Sequence, residues 1–331
     1  MTATLKTALI CGISGQDGSY LAAHLLGKGY RVVGTSRDAQ ISSMINLDRL
    51  VIRRSVEVTS MALNDFRSVL QVLARVAPHE VYNLGGQSSV GLSFEQPVET
   101  LESISTGTLN LLEGLRFLGS TARLYNAGSS ECFGDTGPVP ASETTPFRPR
   151  SPYAVAKACA HNLVSSYREA YRMHACTGIL FNHESPLRME RFVTQKIVRC
   201  AARIASGSPD RLTLGNLDIH RDWGWAPEYV DAMWRMLQQD QPIDLVIATG
   251  RSVSLRYFVA KAFEHFGLDW QQHVDHDPGL LRPSDIRHGA ADPALAHQCL
   301  GWAANLDVDG VVAAMCRAAS AQIGRSEPTA R

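Results

Sequence analysis

Two side chains in the middle of the sequence have the types and the spacing of an acid–base pair. Tyr153 and Lys157 are four residues apart in a stretch that predicts a helix, so both side chains would lie on one face. A lysine ammonium beside a phenol lowers the pKa of the phenol and lets tyrosine act as a base near neutral pH. The same spacing also fits an unrelated pair on a helix surface.

A serine and a carboxylate lie close before this pair in the chain. Ser129 and Glu131 belong to the stretch NAGSSECFG (126–134), which follows a predicted strand. Ser129 could bond the hydroxyl that Tyr153 deprotonates. Simple hydride transfer does not need the carboxylate of Glu131, whereas proton abstraction next to a ketone does. A helix-capping role for Glu131 remains the alternative.

Near the N-terminus, three glycines are typical of a phosphate-binding turn. Gly12, Gly15 and Gly18 form G-x-x-G-x-x-G directly after a predicted strand and before a predicted helix. Such glycines allow a tight turn and a close approach of the backbone to a pyrophosphate at a helix N-terminus. A dinucleotide is therefore predicted here, although a glycine turn alone also occurs without any nucleotide.

The end of the second predicted strand bears on which dinucleotide binds. Arg37 could hold a 2′-phosphate, whereas the adjacent Asp38 would repel that phosphate or bond a bare ribose hydroxyl. We predict NADP as the cofactor and keep NAD as possible. A solvated pair of loop residues with no cofactor role also fits.

Strands and helices alternate through the first half of the chain, which predicts βαβ units and a parallel sheet. The fold class expected is α/β, a Rossmann-type doubly wound parallel sheet with a smaller C-terminal substrate-binding lobe. We place the dinucleotide domain at 1–181, a nucleotide-sugar lobe with some strands returning to the sheet at 182–323, and a flexible tail at 324–331. The predicted strands are Leu5–Cys11, Arg31–Thr35, Val51–Val58, Glu80–Leu84, Leu124–Ala127 and Ile179–Phe181, and the predicted helices are 18–29, 65–76, 98–118 and 152–171.

Composition excludes several classes of partner. Lysine plus arginine equals aspartate plus glutamate at 32 each, so no bulk charge attracts nucleic acid or an acidic membrane. Seven cysteines contain no CxxC pair and no zinc spacing, which favours a reduced cytoplasmic setting and no metal. No signal peptide and no apolar run of membrane-spanning length is evident.

Taken together, these residues resemble the GDP-mannose 4,6-dehydratase family within the extended short-chain dehydrogenases/reductases, as a divergent member. The resemblance rests on GISGQDGSYL (12–21), EVYNLGGQSSV (80–90), SSECFG (129–134), TTPFRPRSPYAVAK (144–157), GILFNHESPLR (178–188), FVTQKI (192–197), GNLD (215–218), RDWG (221–224), RPSD (282–285) and LGW (300–302). It implies a hydro-lyase that recycles bound NADP while a GDP-sugar becomes its 4-keto-6-deoxy form.

The resemblance also implies roles for particular residues. Ser129, in the position of the family's catalytic threonine, joins Glu131, Tyr153 and Lys157 as catalytic. The cofactor contacts implied are Gly12, Gly15, Gln16, Asp17, Gly18, Arg37, Tyr153, Lys157 and Arg188. The substrate contacts implied are Ser88, Asn182, Val193, Lys196, Gly215, Arg221, Arg282 and Asp285.

Family members pair their long helices between subunits, which implies a homodimer or homotetramer. We expect the apolar faces of the helices at 98–118 and 152–171, with Leu109, Leu112 and Leu163, to need a partner.

Departures from the family pattern concentrate at the rims of the predicted cofactor and sugar sites. They are Asp38, Ala62, Ser89, Phe133, Met189-Glu190-Arg191, Trp225 and Asp285. GDP-mannose, another GDP-hexose and a GDP-heptose therefore all remain open as substrates. So do an epimerase or a uronate decarboxylase of the same superfamily, and a non-catalytic NADP-binding scaffold.

Overall fold

The computed structural model describes residues 5–280 and 283–326. Within them, seven strands form one parallel sheet in the order β10-β6-β5-β4-β1-β2-β3. These strands are β1 (Thr7–Cys11), β2 (Arg31–Ser36), β3 (Glu57–Ser60), β4 (Glu80–Asn83), β5 (Arg123–Ala127), β6 (Ala175–Leu180) and β10 (Leu245–Ile247). The predicted Rossmann-type doubly wound sheet is confirmed.

Helices cover both faces of this sheet. One face packs against α1 (Gln16–Gly27), α9 (Ala226–Gln238) and α11 (Ala294–Leu300), and the other against α3 (Phe66–Val76), α6 (Gly107–Phe117) and α7 (Pro152–Tyr171). Strand β1 contributes to the cores on both faces. Ala8 and Ile10 pack on the side of α1, and Leu9 and Cys11 pack on the side of α3. Successive strand residues point to opposite faces, so a strand buried on both sides is apolar throughout.

The direction of winding reverses between β1 and β4, which are neighbours in the sheet but not in sequence. Open α/β sheets bind ligands at such a point, outside the carboxyl ends of the strands. The turns after β1, β4 and β5 therefore meet at one edge.

A further core, separate from the two that flank the main sheet, lies in the C-terminal half. It buries Trp223 among apolar residues of α8 (Val193–Ala205), α10 (Leu255–Glu264) and α12 (Val308–Ser326). Two small sheets accompany it, with orders β11-β9-β7 and β12-β8. Their strands are β7 (Asn182–Glu184), β8 (Leu212–Leu214), β9 (His220–Trp225), β11 (Ser252–Ser254) and β12 (Val274–His276). The C-terminal half therefore forms helices and small sheets of its own.

The third strand was predicted too early in the chain. Residues 45–55 instead form the short helix α2 (Ile45–Arg49) and a 3₁₀ turn, and Val51 has a positive φ of 58° with a fully accessible side chain. Pairing with β2 starts only at Glu57. The run VIRRSVEV (51–58) is rich in β-branched residues and so has strand propensity, but the pairing partner decides where a strand begins.

The helix expected at 98–118 is interrupted. It consists of α5 (Pro97–Leu101), a π-helical turn over Glu102–Thr106, and α6, and α4 (Val90–Glu95) precedes it. The prediction that Leu112 needs a partner chain was wrong, because Leu112 is fully buried within the protomer and Leu163 packs against the same core. Leu109 is half-buried on the same helix.

No helix in the described part of the chain is long and apolar enough to cross a membrane. Helix α12 continues to Ser326, three residues into the predicted tail. The rest of that tail and the predicted substrate residue Arg282 lie outside the described residues.

Candidate active site

The turn after β5 carries Ser129 and Glu131. Ser129 precedes a 3₁₀ turn over Ser130–Phe133, and its Oγ accepts a hydrogen bond from the Glu131 N–H at 3.3 Å. Gly134 ends the turn with φ of +70°, where a Cβ would overlap the carbonyl of Arg148. This close approach holds the turn against the segment that leads into α7.

Helix α7 begins at the same place, which brings the second pair of side chains to the first. Ser151 caps the helix by accepting from the Ala154 N–H at 3.1 Å, and Pro152 occupies the first helical position. Tyr153 and Lys157 then share a face, as the spacing predicted. Lys157 is buried and its Nζ donates to the Ala127 carbonyl at 2.7 Å, at the end of β5.

Burial dominates the protonation of this pair. It raises the pKa of Tyr153, and a hydrogen bond with Ser129 only partly opposes the rise. Burial lowers the pKa of Lys157 to about 8. The expected lowering of the phenol pKa by the lysine is therefore not found, because desolvation outweighs the other influences on both groups.

Glu131 lies in the first turn of the 3₁₀ helix Ser130–Phe133 and faces an arginine of β9. The Nε of Arg221, in β9, lies 4.0 Å from Glu131 Oε1, and its Nη2 lies 3.4 Å from Asp285 Oδ1. Arg221 is only 6% exposed and also donates to the Ile286 carbonyl at 2.8 Å. Strand β9 therefore places a buried cation beside the Glu131 carboxylate.

The glycine turn between β1 and α1 fits the pyrophosphate of a dinucleotide. Gly12 has φ of +83°, and a Cβ there would lie 2.8 Å from the Leu84 carbonyl oxygen. Helix α1 starts at Gln16, and Gly15 before it provides no side-chain cap. No side chain caps the first N–H groups of α1, and Gly15 has no Cβ to obstruct them. A phosphate can therefore approach these N–H groups closely.

Sequence reasoning missed His183, although it lies in the NHESP stretch. Its Nε2 lies 2.9 Å from Asp17 Oδ2, and its Nδ1 lies 2.7 Å from the Phe181 carbonyl. Gln16 donates to the His183 carbonyl at 3.2 Å and accepts from Ser185. Gln16 and Asp17 thus tie the glycine turn to β7, which starts the smaller lobe.

One cavity of about 480 Å³ collects most of the predicted site. Its lining includes Asp17, Ser88, Ser129, Glu131, Tyr153, Lys157, Asn182, Arg188, Val193, Lys196, Gly215, Arg221 and Asp285. It does not include Gly12, Gly15, Gln16, Gly18 or Arg37. The lining also contains His183, Glu184, Arg191 and Trp223, which the sequence prediction did not assign.

Arg37 lies away from this cavity. Its side chain is exposed after β2 and forms an ion pair with Glu99 at 3.1 Å. Such exposed pairs contribute little and break readily, so the pair leaves the guanidinium available to a ligand at that edge.

Comparison with known proteins gives the site its context. The family model described as GDP-mannose 4,6 dehydratase matches residues 9–315. The chain belongs to the GDP-mannose 4,6-dehydratase family. GDP-mannose 4,6 dehydratase 1 of Arabidopsis thaliana is 45% identical over 323 residues, covering 94% of this chain and 88% of that protein. GDP-mannose 4,6-dehydratase of Vibrio cholerae serotype O1 is 43% identical over 344 residues, covering 94% and 92%.

Solved structures support the fold. RMD from Pseudomonas aeruginosa, solved in complex with NADPH, aligns with a TM-score of 0.80 over 96% of this chain and 99% of that one. Its sequence identity is 21%, so this likeness concerns the fold alone. Both the resemblance and the fold class expected from sequence are confirmed.

Proposed function

We propose that this family member removes water from a GDP-hexose, GDP-mannose in the first instance, to give the 4-keto-6-deoxy sugar. The observation that carries the proposal is that Ser129, Glu131, Tyr153 and Lys157 line one cavity. A hydroxyl, a phenol and a carboxylate are the groups needed to oxidise C4 and then remove the proton at C5.

Tyr153 acts first in the proposed cycle. Its phenolate takes the proton of the C4 hydroxyl, and Ser129 bonds the same oxygen and orients it. When bound, a nicotinamide dinucleotide supplies the acceptor for the C4 hydride and the donor that returns a hydride to C6. Because burial raises the pKa of Tyr153, its phenolate is a strong base and binds the C4 proton tightly.

Glu131 acts second. A ketone at C4 makes the C5 proton acidic, and the Glu131 carboxylate removes this proton and passes it to the C6 hydroxyl, which leaves as water. Solvent supplies the proton that returns to C5, and Tyr153 releases the C4 proton to solvent, so the protons balance. With a bound dinucleotide the hydride taken from C4 would return to C6, and the cycle would consume no net oxidant. Arg221 holds Glu131 in place from the smaller lobe.

We further propose NADP as the resident cofactor. The glycine turn fits a pyrophosphate, as its close backbone approach shows. Arg37 stands at the end of β2, where a 2′-phosphate is read in this fold. The purified protein should release a dinucleotide on denaturation, and Arg37→Ala should weaken NADP more than NAD. Equal weakening of both would remove Arg37 from this role.

A homodimer or homotetramer in the cytoplasm is also proposed. Val98, Leu101 and Val155 are exposed on the packed helices α5 and α7. The cysteines resolved in the structure are all free, as a reducing compartment requires. A division near residue 181 between the dinucleotide domain and the sugar lobe is also proposed, because the C-terminal half has a core of its own, while β10, α9 and α11 return to the main sheet.

The test is a panel of substrates. The protein is incubated separately with GDP-mannose, a GDP-heptose, UDP-glucose and dTDP-glucose, and the masses of the products are measured by mass spectrometry. A product lighter than the GDP-sugar by one water supports the proposal. An isomer of unchanged mass would indicate an epimerase, and loss of carbon dioxide from UDP-glucuronate, added as a further sample, would indicate a decarboxylase.

A further inference from the structure

One arginine side chain crosses the mouth of the cavity. Arg191 belongs to the loop between β7 and α8 and lines the opening with an exposed side chain. Its Nη2 donates to Ser88 Oγ at 3.5 Å. Ser88 belongs to the opposite wall, in the loop that follows β4. The guanidinium therefore spans the opening between the two walls.

The wall that Arg191 reaches belongs to the sugar end of the cavity. Strand β4 pairs with β5 through Asn83 and Asn126, so the loop containing Ser88 lies next to the turn containing Ser129. The other end is marked by Lys196, whose Nζ donates to the Thr213 carbonyl at 2.7 Å in β8. Arg191 thus stands between the reacting sugar and the nucleotide.

Arg191 differs from the other arginines of the cavity in its partners. Arg188 lies 3.4 Å from Glu184, and Arg221 lies near Glu131 and Asp285. Among the residues the structure describes, no carboxylate oxygen lies within 4.0 Å of the Arg191 guanidinium. The adjacent Glu190 instead pairs with Arg199 and Arg203 on the outer side of α8.

The start of α8 adds positive potential to the same place. This helix has 13 residues, and Phe192 before it forms no side-chain cap. Val193 and Thr194, its first residues, line the cavity. Uncapped N–H groups and a positive dipole end favour an anion, and the guanidinium of Arg191 stands directly before them.

We propose that Arg191 binds the sugar-proximal phosphate of the nucleotide diphosphate and closes the cavity over it. This inference rests on the proposed function, because it takes a sugar nucleotide as the ligand. Two cations, Arg191 and Lys196, then face the two phosphates. The weak contact with Ser88 gives way to a charge-assisted hydrogen bond, which is shorter and stronger.

The test compares GDP with GMP as probes of the full-length protein with its cofactor bound. Isothermal titration calorimetry is run on wild type, Arg191→Gln and Arg191→Lys. Arg203→Gln is the matched control, since it removes the same charge nearby but does not line the cavity. Loss of one charge-assisted hydrogen bond should weaken GDP about ten- to a hundredfold in Arg191→Gln. Affinity for GMP, which lacks the second phosphate, should stay close to wild type.

Arg191→Lys should recover part of the GDP affinity, and Arg203→Gln should bind both nucleotides like wild type. With GDP-mannose, Arg191→Gln should raise KM more than it lowers kcat. Unchanged GDP affinity in Arg191→Gln, or equal weakening of GDP and GMP, would overturn the inference and leave the proposed function intact. Failure of the wild-type protein to bind GDP at all would overturn both.

Discussion

Individual residues at the site work in pairs that join distant parts of the chain. Glu131 is held beside Arg221, and Asp17 beside His183. Burial raises the pKa of Asp17, but His183 outweighs this effect and the pKa falls to about 2. Burial lowers the pKa of His183, and Asp17 outweighs that effect and raises it. Each partner therefore stabilises the charged form of the other.

This pair should give a stability that depends on pH. The histidine contribution is complete below its unfolded pKa of about 6.5 and is lost as pH rises through the raised folded pKa. A double-mutant cycle with Asp17→Asn and His183→Gln, followed by urea unfolding, should give a coupling of about 1–3 kcal/mol between about pH 4 and 6.5, where Asp17 is ionised and His183 is protonated. The coupling should shrink at alkaline pH.

The exposed ion pair between Arg31 and Glu57 is the control for this cycle. Exposed ion pairs of this kind contribute at most about 1 kcal/mol. Their coupling should be small and flat. A flat profile for Asp17 and His183 as well would show that the histidine stays neutral in the folded protein.

Sequence grouped the four proposed catalytic residues, which line one cavity, but missed a contact that holds the site together. Tyr153 and Lys157 are local in sequence, and Ser129 and Glu131 follow one strand, so spacing alone brought each pair together. His183 lies 166 residues from its partner Asp17. Only the packing of β7 against the glycine turn makes that contact, and no local pattern encodes it.

At the scale of elements, the unit from β1 to α1 depends on glycines with different constraints. A Cβ on Gly18 would overlap the Gly12 carbonyl, whereas one on Gly27, in the same helix, meets nothing within 4 Å. The turn can therefore tolerate no side chain at Gly18, although the helix can accept one at its far end.

Gly18→Ala should lower the free energy of unfolding by about 1–3 kcal/mol and reduce retention of the dinucleotide. Gly27→Ala should be neutral or stabilising by up to about 1 kcal/mol, because alanine restricts the unfolded chain. Urea unfolding and dinucleotide content of the purified variants measure both effects. Equal stability of the two variants would contradict this account of the turn.

Sequence predicted element boundaries correctly where a helix has strong caps, and wrongly where strand pairing sets the boundary. Ser151 and Pro152 mark the start of α7, and the predicted range 152–171 agrees with the structure. The run at 51–58 has high strand propensity, yet only its end pairs with β2. The interruption between α5 and α6 ends at Gly107, but a single glycine within a helical pattern does not by itself predict a π-helical turn.

At the scale of the whole molecule, an apolar surface remains on the paired helices after folding. Val98 is 66% exposed, Leu101 39% and Val155 46%. Exposed apolar residues on adjoining helices mark an interaction surface. A partner was expected for these helices at Leu109, Leu112 and Leu163, but Leu112 and Leu163 pack inside the protomer. Periodicity identified apolar positions without showing which core each one enters.

Val155→Glu should shift the protein towards monomer, because a charge would be buried at the proposed interface. Val139→Glu is the matched control, since Val139 is exposed in a loop away from α5 and α7. Light scattering at micromolar concentration should show an oligomer for wild type and Val139→Glu. A monomeric wild type would contradict the proposed assembly.

In the proposed cycle Tyr153 acts on the C4 hydroxyl before Glu131 acts at C5. The variants Tyr153→Phe and Glu131→Gln test that order. Each variant is incubated with GDP-mannose, and the reaction is quenched with sodium borodeuteride. The mass of the recovered sugar nucleotide is then measured by mass spectrometry. Loss of a positioned acid–base group costs about a hundred- to ten-thousandfold in rate, so neither variant should accumulate dehydrated product. Glu131→Gln should oxidise C4 and go no further. Borodeuteride then reduces the ketone, and the recovered sugar nucleotide should be heavier than GDP-mannose by the difference between a deuterium and a hydrogen atom. Tyr153→Phe should return unlabelled GDP-mannose. Dehydration by Glu131→Gln at close to the wild-type rate would contradict the account.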